Sequence, residues 1–93
     1  MADIEVKSSD RGDAFEFQVT VREGKSQTQH RVTLDKADYE RLTGGRASPE
    51  DLVSESFRFL LEREAKESIL RSFDLTIIAR YFPEYERQIK GRL

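Results

Sequence analysis

The stretch AFEFQVTVR, from Ala14 to Arg22, decides the fold because from Phe15 onward its side chains alternate between apolar and polar. Successive side chains of a β-strand point to opposite faces of the sheet, so the apolar residues of the alternating part would share one face. The apolar set comprises Phe15, Phe17, Val19 and Val21. The pattern therefore predicts a strand with one face buried and the other in water.

Two shorter alternating stretches flank this strand. Ile4 and Val6 come before it, and Val32 and Leu34 come after it, each pair separated by a polar residue. Glycine-containing segments lie between the three stretches, as expected for hairpin turns. The sequence thus predicts a three-stranded antiparallel β-meander with this strand in the middle.

The positions of the turns predict how the strands pair. A first loop at Arg11-Gly12 would place Ile4 opposite Val19. A second loop at Gly24-Lys25 would place Val19 opposite His30. Both registers keep the apolar residues on one face, as a half-buried sheet requires.

Two helices are predicted after the meander. Asp35 can cap a short helix over Lys36–Leu42, and Gly44 can end it in the left-handed conformation that glycine adopts at low cost. Ser48 followed by Pro49 is a strong start for a second helix, because serine caps helices and proline suits their first position.

A third helix is predicted near the C-terminus, where apolar residues recur three and four positions apart. The stripe comprises Leu75, Ile78, Phe82, Tyr85 and Ile89. It runs through Pro83, which removes a backbone hydrogen bond and clashes with the preceding turn. The last helix is therefore predicted to be kinked at Pro83.

These elements predict one α+β domain over residues 1–93. The expected architecture is a three-stranded antiparallel meander followed by a short helix and two longer helices, which pack on one face of the sheet. A chain of 93 residues is too short for two separate hydrophobic cores.

Candidate partner-binding residues lie on and beside the third helix. Ile77 and Tyr81 are four apart but off the apolar stripe, on a flank about 100° away from it. The second helix could cover them, or they could form a contact surface with another protein. Arg80 and Tyr85 join the candidate set because tyrosine and arginine dominate binding hot spots. Tyr85 is expected to keep its hydroxyl in water.

The composition argues against an enzyme. The chain has no cysteine and a single histidine, His30, which the predicted register turns inward. No catalytic residue, metal site, cofactor or small-molecule ligand is indicated. The net charge of −2 does not favour nucleic acid as a partner. We expect a cytoplasmic protein, because no apolar run could serve as a signal peptide or membrane span.

One segment, HRVTLDKADYERLTGGRASPEDLVSESFRFLLERE at residues 30–64, resembles the ribbon-helix-helix family of DNA-binding regulators and antitoxins. In that family a strand is followed by two helices, and paired strands of a dimer enter the major groove. The resemblance implies that Gln29, Arg31 and Thr33 would contact DNA. The short helix here is about one turn shorter than in the family.

The ending SILRSFDLTIIARYFPEYE resembles that of small uncharacterised bacterial proteins. This resemblance implies an α+β domain and a bacterial source, and no activity or cofactor. The favoured hypothesis is a protein–protein interaction module whose partner is another protein or a second copy of the chain, as in a homodimer. The alternative is a DNA-binding regulator or antitoxin of ribbon-helix-helix type.

Overall fold

In the computed structural model, which describes residues 2–93, four strands form one mixed sheet in the order β1-β2-β3-β4. The first three strands form the predicted antiparallel meander, and β4 lies parallel to β3. The strands are β1 Asp3–Asp10, β2 Ala14–Glu23, β3 Ser26–Asp35 and β4 Ser72–Asp74.

The second hairpin has the predicted register. Val19 lies opposite His30 and Phe17 lies opposite Val32, with Gly24-Lys25 at the turn. Gly24 has a φ of 62°, which glycine adopts without strain. The position of the turn at Gly24-Lys25, together with the alternation in β2 and β3, therefore predicted which residues face each other.

The predicted register of the first hairpin is wrong by two residues. Ile4 lies opposite Val21 rather than Val19. The turn is centred one residue later than predicted, on Gly12-Asp13, because the Arg11 amide donates to the Ala14 carbonyl at 2.8 Å and the Gly12 amide donates to Asp10 Oδ1 at 2.9 Å. A shift of two residues leaves every side chain on its predicted face, so the apolar pattern could not detect it.

Strand β4 is absent from the sequence prediction. Its three residues pair with β3 so that Ser72 lies beside Arg31 and Asp74 beside Thr33. The Arg31 amide also donates to the Arg71 carbonyl at 2.8 Å. A strand this short carries no period-two signal, and its pairing depends on the return of the chain after the helices.

Helix α1 spans Lys36–Thr43, close to its predicted bounds, and helix α2 spans Pro49–Leu61, which begins where the sequence predicts. The Ser48 side chain caps α2 by accepting a hydrogen bond from the Asp51 amide at 3.0 Å. Gly44 ends α1 with a φ of 59°, as predicted. The Asp35 side chain makes no capping hydrogen bond.

The C-terminal stripe does not lie on one kinked helix. After a 3-10 turn at Leu75–Ile77, helix α3 spans only Ile78–Tyr81, and helix α4 spans Tyr85–Arg92. Phe82, between them, has φ and ψ of −132° and 89°. A residue before proline is pushed out of the helical region by the proline ring, so Pro83 separates two helices instead of bending one.

The helices cover one face of the sheet, and the apolar residues of both layers form the core, in agreement with the predicted α+β class. The side chains of the opposite face, such as Gln18 and Gln29, are exposed. The fully buried large side chains are Phe17, Leu34, Leu42, Leu52, Phe57, Phe59, Leu75, Tyr85 and Ile89.

Candidate functional site

An apolar groove with a volume of about 420 Å³ lies between the end of α2 and the region of α3. Leu60, in the last turn of α2, lines it together with Ile69 and Leu70 from the segment that leads into β4. Tyr81 and Phe82, at the end of α3, also line it. The volume falls within the range of about 300–1,000 Å³ that is typical of ligand-binding pockets.

Two residues of the groove are exposed despite their large apolar side chains. Leu70 is 48% exposed and Tyr81 is 66% exposed, and among residues 2–93 no other large hydrophobic residue is classed as exposed. These two exposed residues lie together, because both line the same groove. Exposed apolar surface concentrated at one place is typical of an interaction site.

The structure brings two of the four candidate partner-binding residues into the groove. Ile77, which is partly buried, and Tyr81 both line it. Arg80 is exposed next to Tyr81 in the chain but is not part of the lining. The sequence left open whether Ile77 and Tyr81 are covered by the protein or exposed. In the structure, Ile77 is partly covered and Tyr81 is mostly in water.

The expectation that the Tyr85 hydroxyl reaches water is wrong. Tyr85 is fully buried and its hydroxyl lies 2.6 Å from the Ser56 hydroxyl of α2. Its ring makes an edge contact with Phe59, with the ring centroids 5.3 Å apart. Burial raises the pKa of the Tyr85 hydroxyl far above its usual value. Tyr85 fixes α4 to α2 and is not accessible to a partner in this structure.

Polar contacts hold the segment that carries Ile69 and Leu70 against the sheet. The Leu70 carbonyl lies 2.8 Å from His30 Nδ1 on β3. Earlier in the segment, the Lys66 ammonium lies 2.8 Å from the Glu67 carboxylate and 3.7 Å from that of Glu23. This side of the groove is therefore fixed by the fold.

His30 is a structural residue within this arrangement. It is 2% exposed, as the inward-facing prediction requires, and packs on Phe57 with ring centroids 5.3 Å apart. The Leu70 carbonyl can only accept, so Nδ1 carries the proton and Nε2 accepts from the Thr28 hydroxyl at 2.8 Å. Burial lowers the pKa of His30 below its usual 6.5.

Sequence reasoning missed several groove residues. Leu70, Phe73 and Phe82 were not selected, although all three line the groove together with Glu64. The available signal was the apolar cluster at Ile69, Leu70 and Phe73, which follows a polar segment and fits no helical stripe. Their convergence with α3 depends on β4, which the sequence does not predict.

The residues of the alternative DNA-binding site lie on the face of the sheet that the helices leave open. Gln29 and Arg31 are exposed, and Arg31 Nε donates to a Glu16 carboxylate oxygen at 3.1 Å. The Thr33 hydroxyl donates to Asp74 at 3.0 Å. Strand β3 pairs with β2 on one edge and, at Arg31–Thr33, with β4 on the other. That part of β3 has no free edge on which a second copy could form a ribbon.

Two kinds of feature are absent from the part of the chain that the structure describes. Across residues 2–93, no group of three or more histidine, cysteine, aspartate or glutamate residues is placed to hold a metal ion. None of the helices in that range has the length and apolar character needed to cross a membrane.

Comparisons with protein-family models, with curated proteins and with solved structures found no match to this chain. Any proposal about its function therefore rests on the residues of the groove and on their geometry.

Proposed function

We propose that this protein is a protein–protein interaction module and that the groove is its binding surface. The observation that carries the proposal is Tyr81, which is 66% exposed at the edge of an apolar groove. Tyrosine combines a large contact area with a polar hydroxyl and is enriched at binding hot spots. The occupant that we propose is a segment of another protein, bound in the cytoplasm of a bacterium.

The cost of leaving these side chains in water supports the proposal. Burying apolar surface contributes about 25 cal/mol per Å², so an occupant that covers Leu70 and Tyr81 would gain from both. The side of the groove that carries Leu70 is held to β3 by the His30 contact, so little ordering would accompany binding. The cysteine-free sequence suits a reducing compartment.

A binding role also fits the state of His30 better than a catalytic one. Both of its ring nitrogens already have hydrogen-bond partners inside the protein, Thr28 and the Leu70 carbonyl. A general base must reach the proton that it abstracts, and this imidazole is 2% exposed.

The test compares the double variant Ile77→Ser with Tyr81→Ser, the single variant Tyr81→Ser, and a control, Gln18→Ser with Gln29→Ser, on the exposed face of the sheet. Calorimetry reports folding, sedimentation reports self-association, and affinity capture from nuclease-treated lysate with mass spectrometry reports partners. Tyr81→Ser should melt close to the parent, because exposed positions usually change stability by less than about 0.5 kcal/mol.

We expect the parent and the control to retain the same partner and the two Tyr81 variants to lose it. A parent that self-associates through the groove would show the loss in sedimentation instead, which would replace the proposed occupant with a second copy. Retention of every partner by Tyr81→Ser, with unchanged sedimentation, would overturn the proposal. If the double variant unfolds and Tyr81→Ser does not, Ile77 belongs to the core. The single variant Tyr81→Ser then tests the proposal.

A further inference from the structure

Among residues 2–93, one side chain that lines the apolar groove carries a charge at neutral pH, that of Glu64. It lies in the turn after α2, where its backbone amide donates to the Leu60 carbonyl at 2.9 Å. The two charged residues that precede it in the chain, Glu62 and Arg63, both form ion pairs. Arg63 lies 3.2 Å from the Glu84 carboxylate, and Glu62 lies 2.5 Å from the Arg92 guanidinium.

The Glu64 carboxylate, in contrast, makes no salt bridge and accepts no side-chain hydrogen bond from any residue of the range 2–93. Burial raises the pKa of Glu64, and no neighbouring cation lowers it. An occupant that filled the groove would remove more water from this carboxylate. Desolvating an unpaired charge is costly, so a purely apolar occupant would bind against this penalty.

Two further features of the groove favour a cation. Glu64 follows the C-terminal end of α2, a helix of 13 residues, and the C-terminal end of a helix carries a partial negative charge. Tyr81, which lines the same groove, is largely exposed. The face of an aromatic ring attracts lysine and arginine side chains. All three features of the groove thus favour a positively charged side chain: the Glu64 carboxylate, the C-terminal end of α2 and the Tyr81 ring.

We propose that the groove binds a segment of a partner protein that places an apolar side chain against Leu70 and Tyr81 and a lysine or arginine against Glu64. This inference rests on the proposed function and adds to it the chemistry of the partner. The apolar contact supplies the larger part of the binding free energy, and Glu64 selects segments that carry a positive charge.

The experiment uses a displayed library of random peptides. Peptides are selected for binding to the parent protein and, separately, for binding to Glu64→Gln. The control is Glu40→Gln, which makes the same change in net charge at an exposed position on α1. We expect the peptides selected by the parent to carry lysine or arginine next to an apolar residue. Their affinity, measured by calorimetry, should fall about tenfold on Glu64→Gln and should not change on Glu40→Gln.

A change in the peptide gives an independent measurement, because its effect on binding to the parent requires no substitution in the protein. Replacing the selected lysine or arginine with glutamine should weaken binding to the parent about tenfold and should not weaken binding to Glu64→Gln further. Selected peptides without a basic residue, or equal affinity for parent and Glu64→Gln, would overturn the inference. If those peptides still lose binding on Tyr81→Ser, the proposed function stands. If they do not, it fails as well.

Discussion

His30 Nδ1 donates a hydrogen bond of 2.8 Å to the carbonyl oxygen of Leu70, forty positions later in the sequence. Leu70 is half exposed and lines the groove, whereas His30 is buried between the sheet and Phe57. One buried contact thus fixes the position of an exposed apolar residue. This hydrogen bond joins β3 to the segment that lines the groove.

The burial of His30 predicts a loss of stability at mildly acidic pH. Burial lowers the pKa of His30 below 6.5, so the unfolded chain binds a proton at a higher pH than the folded one does. The contribution of His30 is therefore complete above about pH 6.5 and is lost as the pH falls below it, by at most about 1.4 kcal/mol per pH unit. Proton NMR of the single imidazole measures the pKa directly, and a value at or above 6.5 would contradict this account.

The hydroxyl pair of Tyr85 and Ser56 predicts a second effect on stability. The Ser56 hydroxyl donates to the Leu52 carbonyl at 2.7 Å, so it accepts from Tyr85. Tyr85→Phe removes this buried hydrogen bond and should lower the free energy of unfolding by about 0.5–1.5 kcal/mol. Tyr81→Phe, at an exposed position, is the matched control and should have almost no effect in the same denaturant titration. Equal effects would show that the buried pair contributes nothing.

The centre of the core is expected to be sensitive to truncation. Phe17 is fully buried on β2, opposite Val32 on one side and Ser8 on the other. Phe17→Ala should lower the free energy of unfolding by about 3–5 kcal/mol, which is a large share of the stability of a small domain. Gln18→Ala, at the next position but on the exposed face, should change it by less than about 0.5 kcal/mol. A Phe17→Ala variant that melts with the parent would contradict the packing described here.

The sequence predicted what depends on alternation and capping. The β2–β3 register and the start of α2 at Ser48 follow from local chemistry, and both are observed. The break between α3 and α4 was also accessible, because Phe82 precedes a proline. The apolar stripe continues across this break, because residues of two separate helices can be buried in the same core. The stripe therefore could not show that the helix ends before Pro83.

The groove could be predicted only in part. Ile77 and Tyr81 were found because they lie off the stripe, and both line the groove. Glu64 lies just after α2, and Leu70 is brought beside that end of the helix by the parallel pairing of β4 with β3, which is a contact between residues far apart in sequence. No local pattern encodes such a contact, so these residues could not be assigned to a shared site without the structure.

The exposed face of the sheet allows the ribbon-helix-helix alternative to be tested separately. Replacing Gln29, Arg31 and Thr33 together with alanine should cost little stability apart from the hydrogen bond between Thr33 and Asp74, about 0.5–1.5 kcal/mol. The triple variant should retain the peptides and partners that bind the groove. Binding of the parent to duplex DNA that weakens with salt and is lost in the triple variant would favour the alternative over our proposal.

The most direct measurement of the central claim is site-specific photo-crosslinking in living cells from a benzophenone amino acid introduced at Tyr81. The same amino acid at Gln18, on the exposed face of the sheet, is the control. Our account predicts a crosslink to another protein from position 81 and no such crosslink from position 18. The crosslinked peptide should carry lysine or arginine beside an apolar residue. Crosslinking at position 18 and none at position 81 would contradict the claim that the groove is the binding surface.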